Sequence, residues 1–251
     1  MTFHLQYSDL KYGIFKVFGK MTKINKKRQL NIISYNLKYH RANGELSDLV
    51  NEYKADVLCV QECFSDLLPK TIEYLSLADK TKANRLGLAI YFNPARFTVL
   101  KARSFPLHKS IHDRLLAPAE ERLLVTKLYD KYSKKDVLVG SFHATPPSGT
   151  NYIRRKQIRA AHEKLLSLSG ENNPVIMVGD YNYPIFRRGL RVSIERSGYQ
   201  LSLSDKPTHY VSRLVRSHLD FATSINTQIE KVTTLPRGLS DHAPILVQAS
   251  L

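Results

Sequence analysis

An α/β fold with mixed sheets is predicted by three features of the 251-residue chain. Strand-like and helix-like runs alternate from Leu30 to the C-terminus. Two pairs of strand-like runs are joined by short turns, which a purely parallel sheet does not contain. Apolar residues make up 43% of the sequence, enough for one large core and too many for wholesale disorder.

The elements follow in order. Leu30–Leu37 (LNIISYNL) reads as a strand and Leu46–Tyr53 as a helix. Val57–Gln61 is a continuous apolar run that suits a buried strand. Ser65–Leu75 is predicted as a helix with Ser65 as its N-cap. Leu86–Phe92 and Phe97–Lys101 flank Asn93-Pro94 and predict a hairpin; Leu123–Tyr129 and Val137–Phe142 flank the charged turn Lys131–Asp136 and predict another. The loop Phe105–Glu121, with His108, His112 and Asp113, reads as an ordinary surface loop. Ile153–Leu168 has the spacing of a basic amphipathic helix. Val175–Val178 is a strand that runs into Gly179, and short strands at His218–Ala222, Ile229–Thr234 and Ile245–Ala249 complete the chain. With no internal repeat and no linker-like stretch, residues 30–251 read as one domain.

Residues 1–29 differ from the rest. Phe3, Tyr7, Leu10, Ile14, Val17, Phe18 and Met21 recur at helical spacing among Lys11, Lys16, Lys20 and Lys23, interrupted by Gly13 and Gly19. Such a basic amphipathic segment either docks its apolar stripe on the following domain or lies on an anionic membrane. No apolar run approaches the roughly 18 residues of a membrane span, and the N-terminus lacks the apolar core of a secretory signal. Cys59 and Cys63 are too close to staple anything and read as reduced thiols. The expected location is therefore cytoplasmic, peripheral on the inner membrane face if the N-terminal segment engages lipid. A formal charge of +16 and a pI near 9.8 point to a polyanionic partner: nucleic acid, an anionic membrane surface or a phosphorylated substrate.

Several predicted strands end in residues that chemistry uses. Asn36 ends the first, and Gln61-Glu62 the second. His143 follows VLVGSF, and Asp180 and Asn182 stand two apart after VIMVG. His218-Leu219-Asp220 and Ser240-Asp241-His242 come later. Singly, each has a plain explanation, since Asn and Asp favour turns and a lone His is more often structural.

In series they carry more. The pieces SYNL, VQE, GSFHATP, GDYN, HLDF and SDH, in this order between Leu30 and Leu251, resemble the endonuclease/exonuclease/phosphatase superfamily, which includes pancreatic deoxyribonuclease and apurinic-site endonucleases. The resemblance implies a four-layer α/β/β/α sandwich, two mixed sheets packed face to face, with the active site at one rim. It also implies a hydrolase that cleaves phosphoesters by in-line attack of an activated water, with Mg²⁺ or Mn²⁺ as cofactor.

Water-driven cleavage of a phosphoester needs neutralised oxygens, an activated nucleophile and a stabilised leaving group. By resemblance, Glu62 is the principal ligand of a hard cation that keeps several waters. Asn36 stands beside it, and Asp241 supplies a further or water-mediated contact. His242, with Asp220 accepting its other N–H, is the general base or orients the phosphate. Asp180 holds or deprotonates the water, Asn182 donates to the developing charge, and His143 contacts the phosphate and protonates the leaving oxygen. Which of Asp180 and His242 takes the proton stays open at the level of sequence.

Two departures matter. His143-Ala144-Thr145-Pro146 stands where apurinic-site endonucleases have an asparagine-bearing segment, which moves the chain toward the deoxyribonuclease, phosphatase and sphingomyelinase branches. The hairpin RLGLAIYF lacks the glutamate that orients the equivalent histidine in pancreatic deoxyribonuclease, which weakens the general-acid role of His143. Arg154, Arg155, Arg187, Arg188 and Tyr181 form the aromatic-plus-basic pattern used against nucleic acid and are candidate substrate-binding residues. The expectation is a monomeric nuclease acting on DNA or RNA. The alternative is a phosphatase or phosphodiesterase for lipid or inositol-phosphate headgroups; a non-catalytic binding module fits an intact acid, amide and histidine set poorly.

Overall fold

The structure is a computed structural model that describes residues 29–82, 86–108, 121–146, 149–184, 187–210 and 216–251. The expected amphipathic segment 1–29 therefore lies, apart from Gln29, outside the described residues, as do His112 and Asp113 of the loop 105–121.

Two sheets dominate. The first has strands β1 (Gln29–Asn36), β2 (Val57–Cys63), β3 (Thr71–Ile72), β4 (Leu75–Lys80), β5 (Gly87–Phe92), β14 (Gln228–Thr234) and β15 (Ile245–Ser250), in the order β14-β15-β1-β2-β5-β4-β3. The second has β6 (Phe97–Phe105), β7 (Leu123–Asp130), β8 (Lys135–His143), β9 (Val175–Asp180), β10 (Gln200–Leu203) and β13 (Asp220–Ile225), in the order β10-β13-β9-β8-β7-β6. β11 (His209–Tyr210) and β12 (Arg216–Ser217) form a short separate ribbon. The β1–β2 and β8–β9 pairs are parallel, and the other neighbours within these sheets run antiparallel.

Both faces of each sheet are covered, which is why the strands read as nearly unbroken apolar runs. In β1 the alternation divides the residues cleanly: Leu30 and Ile32 enter the core between the sheets, and Ile33 and Tyr35 face the other way. The inner core joins Ile32, Val57, Cys59 and Ile90 of the first sheet to Leu124, Val139, Ile176 and Val178 of the second. Helix α1 (Leu46–Tyr53) buries Leu46, Leu49 and Val50 on the outer face of the first sheet. Helix α2 (Asn151–Ser169) buries Ile158, Ala161 and Leu165 on the outer face of the second, with Leu190 and Ile194 of α3 (Arg187–Glu195) beside them. The result is the four-layer α/β/β/α sandwich that the sequence resemblance implies. No helix among the described residues is long and apolar enough to cross a membrane.

Two expectations are corrected. Ser65–Leu75 is not a helix: a single 3₁₀ turn at Ser65–Leu67 gives way to β3 and β4, and the Ser65 side chain makes no cap bond. Pro69 is the cause, because it cannot donate to a helix and holds Leu68 extended (φ −73°, ψ 132°). Leu86–Phe92 and Phe97–Lys101 are not a hairpin either, since β5 belongs to the first sheet and β6 to the second. The Asn93-Pro94 turn is a crossover between layers, fixed by the buried Arg96 immediately after it. Its guanidinium pairs with Asp56 (2.7 Å) and Asp130 (3.1 Å) and donates to the Gln29 carbonyl (2.9 Å), so it ties one sheet to the other. The second predicted hairpin forms as β7–β8, with Leu123 opposite Phe142.

Candidate active site

Three neighbouring strands of the second sheet end in register. β8 and β9 place His143 beside Asp180, and β9 and β13 place Asp180 beside Asp220. Gly179 permits this, because its φ of 146° suits glycine and a Cβ there would collide with the Phe142 carbonyl of the adjoining strand. The first sheet supplies the facing half. Asn36 ends β1, level with Gln61 of β2. The register of β2 against β5 slips between Val60 and Cys63, and Glu62 within this bulge has a left-handed φ of 52°. The slip sends the two polar residues different ways. Gln61 donates inward to Ser34 Oγ (3.2 Å) and Ser141 Oγ (3.0 Å), across the sheets, while the Glu62 carboxylate reaches the rim.

Asp180 is the hub. Its Oδ2 accepts from Asn36 Nδ2 (3.1 Å) and Asn182 Nδ2 (3.0 Å), and its Oδ1 from the Asn182 backbone N–H (2.8 Å). Asn182, itself at φ 48°, is turned back onto Asp180 and the Ala144 carbonyl (3.3 Å). Asn36 Nδ2 also donates to Glu62 Oε1 (3.2 Å), and the Tyr39 N–H to Glu62 Oε2 (3.3 Å). His143 Nε2 lies 3.6 Å from Glu62 Oε1 and 3.7 Å from Asp180 Oδ2. His242 Nδ1 and Asp220 Oδ2 are 2.8 Å apart, and His242 Nε2 is 3.8 Å from Asp180 Oδ2. Asn36, His143, Asp180, Asn182, Asp220 and His242 are buried, and Glu62 is partly open.

Burial raises the pKa of the Asp180 carboxyl against the opposing pull of His242, and raises that of Glu62 against its hydrogen bonds. Burial alone disfavours a charged His242 ring, but the Asp220 and Asp180 carboxylates outweigh it and its pKa is raised. His143 goes the other way: burial, with Arg122 and His242 nearby, holds its pKa well below the ordinary value and keeps the ring neutral. Its buried Nδ1 has no hydrogen-bond partner among the described residues, in keeping with the missing acid in RLGLAIYF.

A divalent ion fits this chemistry. Glu62 and Asp180 bring hard oxygen donors to either side of one Asn36 amide, and a cation relieves the burial that both carboxylates suffer. Asp180, Asp220 and His242 also offer donor atoms within 4.8 Å of one another, although Asp220 already serves His242 Nδ1. Asp241 stands at the mouth, half-buried, with its Oδ2 3.0 Å from Lys38 Nζ. Lys38 outweighs burial there and lowers the Asp241 pKa.

The substrate-binding expectations divide. Arg154 is buried and its guanidinium is committed to the Thr145 and Pro146 carbonyls (3.2 and 2.6 Å) and to Asn151 Oδ1 (2.7 Å); it shapes the loop after His143 and does not face substrate. Tyr181 is also corrected. It is a core residue, stacked on Phe221 (3.8 Å between centroids), with its hydroxyl donating to the Met177 carbonyl (3.0 Å). Asn182 folds back onto Asp180, while Tyr181 between them packs into the outer core with Phe142 and Phe221. Arg155 is half-buried and donates to the Tyr183 hydroxyl (2.7 Å), Arg188 is exposed, and the Arg187 side chain lies outside the described residues.

Sequence reading passed over several residues that build the site. Thr208 Oγ1 accepts from the Leu219 and Asp220 N–H groups (3.1 Å each) and so fixes Asp220. Ser240 Oγ donates to the Asn36 carbonyl (2.7 Å) and accepts from the His242 N–H (3.1 Å), which ties the two ends of the site together. Its place in the SDH segment was the available signal; Thr208 carried none.

Known structures share this architecture. A mannosyl-6-phosphatase of Bacteroides thetaiotaomicron superposes with a TM-score of 0.68 at 17% identity, covering 88% of this chain and 100% of its own. D. rerio TDP2 complexed with a single-strand DNA product gives 0.67 at 17% identity, covering 89% and 99%. An endonuclease/exonuclease/phosphatase family protein from Bacteroides thetaiotaomicron gives 0.69 at 16% identity, covering 88% and 98%. At these identities the likeness speaks for the fold alone. No curated protein matches the chain in sequence. The sequence does match the pattern of a family of hydrolases that act on phosphoester bonds, from residue 33 to residue 242, the span that encloses every residue of the site from Asn36 to His242. The chain belongs to the Endonuclease/Exonuclease/phosphatase family.

Proposed function

We propose that this protein is a divalent-metal-dependent nuclease that hydrolyses phosphodiester bonds of DNA or RNA. The observation that carries the chemistry is the convergence of Asn36 and Glu62 from one sheet with His143, Asp180, Asn182 and the Asp220–His242 pair from the other. The net charge of +16 supports a polyanionic substrate.

Glu62 would hold the metal, with Asn36 orienting its carboxylate and Asp241 contributing through water. When bound, the ion neutralises phosphate oxygens and stabilises the leaving oxygen. Asp180 receives a proton from the attacking water, its basicity raised by burial. Asp220 fixes the His242 ring by accepting from Nδ1–H, which leaves Nε2 to face the phosphate. Asn182 donates to charge that develops on the phosphate as its bond to Asp180 loosens. The neutral His143 contacts a phosphate oxygen through Nε2. Arg155, Arg187 and Arg188 contribute sequence-independent attraction to the backbone of the polymer.

The test is cleavage of supercoiled plasmid, single-stranded DNA and RNA with Mg²⁺ or Mn²⁺, beside a panel of phosphoinositides, sphingomyelin and sugar phosphates. Wild-type cleavage of nucleic acid, lost in Asp180→Ala and His242→Ala, is expected. Hydrolysis of a headgroup or sugar phosphate with no cleavage of any nucleic acid overturns the nuclease reading and keeps the phosphoesterase chemistry.

A further inference from the structure

The turn after β1 is unusual. Lys38, Tyr39 and His40 all adopt left-handed backbone conformations, with φ of 48°, 52° and 69°. Each such non-glycine residue is strained by roughly 1–2 kcal/mol, so a run of three persists only where its surroundings over-determine it. They do so here. The Lys38 N–H donates to Asn36 Oδ1 (3.0 Å), the Tyr39 N–H to Glu62 Oε2 (3.3 Å), and the His40 N–H to the Glu62 carbonyl (2.8 Å). The Phe64 N–H donates to His40 Nδ1 (3.3 Å), and the His40 and Phe64 rings lie parallel, 4° apart in plane with centroids 5.4 Å apart. Every one of these contacts is made to Asn36, to Glu62 or to the residue two places beyond Glu62.

What the strained turn displays is aromatic and open. Tyr39 is 47% exposed and Phe64 37% exposed, although the Tyr39 N–H bonds to the Glu62 carboxylate and Phe64 follows Glu62 by two residues. The Phe64 N–H donates to His40 Nδ1, which locks the imidazole face against the Phe64 ring. The stack is thus a flat pair of rings, tied to Glu62 through the His40 N–H, with Phe64 outward. Lys38 sits on the same turn, with its ammonium paired to Asp241 (3.0 Å) at the mouth of the site. An exposed ring backed by a parallel second ring matches the way proteins hold unpaired bases, which all present a π-face.

We propose that Phe64, backed by His40, forms with Tyr39 an aromatic shelf that receives a nucleobase adjoining the scissile phosphate. The enzyme then favours base-bearing, single-stranded phosphodiesters over base-free ones. This rests on the nuclease reading above and adds to it a specificity-determining surface on the metal side of the site. Phe64 and Tyr39 touch no reacting atom, so their loss weakens binding and leaves the chemical step intact.

The experiment compares wild type, Phe64→Ala, Phe64→Trp and Tyr39→Ala on two single-stranded oligonucleotides of equal length. One carries bases throughout, and the other has abasic tetrahydrofuran units on both sides of the scissile phosphate. Thermal unfolding of each variant establishes folding, and Tyr39→Ala gives an independent arm should Phe64→Ala unfold. The expected result is a rise of about tenfold in KM on the base-bearing strand for each alanine variant, with kcat within twofold. KM on the abasic strand stays unchanged, and Phe64→Trp retains wild-type affinity. Equal losses on both strands, or none on either, overturn the shelf while wild-type cleavage leaves the nuclease reading standing. If wild type cleaves neither strand, the nuclease reading fails and the shelf with it. Loss of phosphoinositide-vesicle binding in Phe64→Ala, with unchanged oligonucleotide kinetics, overturns the base-binding role in favour of a lipid contact.

Discussion

His242 Nδ1 and Asp220 Oδ2 lie 2.8 Å apart across the join between the two sheets, both side chains almost wholly buried. Asp220 is held in turn by its own N–H on Thr208, so the imidazole has one orientation and presents Nε2 to Asp180. Asp220→Asn keeps the shape but offers an N–H where an acceptor is needed. A fall in kcat of about 10²–10⁴ is expected, with KM little changed. Steady-state kinetics on the best substrate from the phosphoester panel check this, and wild-type kcat in the Asp220→Asn enzyme would remove the pair from the mechanism.

Asn36 donates one amide group to both Glu62 and Asp180. Asn36→Ala frees the Glu62 carboxylate to rotate, and a loss of about 10–100-fold in affinity for Mg²⁺ or Mn²⁺ is expected, as for other residues that orient a metal ligand. Titration calorimetry with the metal measures it directly, and EDTA is expected to abolish turnover of the wild type until excess metal is restored. Unchanged metal affinity in Asn36→Ala would sink the assignment of Glu62 as ligand.

Gly179 has both a φ of 146° and no room for a Cβ beside the Phe142 carbonyl. Gly179→Ala is expected to destabilise the fold by about 3 kcal/mol or more. It should also separate His143 from Asp180, so the residual folded enzyme loses activity. Urea unfolding followed by circular dichroism gives the first number, and a midpoint within error of wild type contradicts it.

The buried Arg96 makes a prediction about acid. Burial opposes ionisation of Asp130, but Arg96, the Tyr132 N–H and Ser133 prevail and its pKa is lowered in the fold. Folding then releases protons that the unfolded carboxyl would bind, so this stabilisation is present above about pH 4 and is lost as pH falls through the depressed native value. Arg96→Leu leaves a buried carboxylate without its charge partner and is expected to cost about 3–5 kcal/mol at pH 7. The acid side of its stability curve should be correspondingly flatter, which urea midpoints at pH 3, 5 and 7 will measure.

His162 works over a different range. Burial pushes its pKa down to about 3, and the neutral ring stacks on Tyr199 (centroids 3.7 Å apart) between Ser197 Oγ and Thr223 Oγ1. Between about pH 6.5 and pH 3 the unfolded chain binds a proton that the native ring refuses. Stability therefore falls as pH is lowered, by up to about 1.4 kcal/mol per pH unit. His162→Gln removes that slope, and melting temperatures from pH 7 to pH 5 that fall equally in both proteins would contradict it.

Much of this site was legible because its residues sit at strand ends, where a short apolar run and the polar residue after it are read together. Asn36, Glu62, His143 and Asp180 were visible in that way. Which sheet a strand joins is a long-range fact, so Asn93-Pro94 looked like a hairpin turn until Arg96 was seen gripping Asp56 and Asp130. Arg154 and Tyr181 misled for a related reason. A basic or aromatic residue near a site does not announce which way it faces, and both are spent on internal bonds. Thr208 gave no signal, since one hydroxyl that catches two N–H groups looks like any other threonine.

The core between the sheets is apolar, and apolar contact does not by itself fix how far one layer slides along the other. Directional bonds do that, and at this end of the sandwich they include Gln61 to Ser141, Asn36 to Asp180 and His242 to Asp220. The Asn36–Asp180 bond of the candidate site is therefore also a fastener of the tertiary structure. A cation or phosphate that draws Asn36 away from Asp180 exchanges a clasp for a ligand, so an occupied rim holds the two layers in alignment where an empty one relies on its own amides.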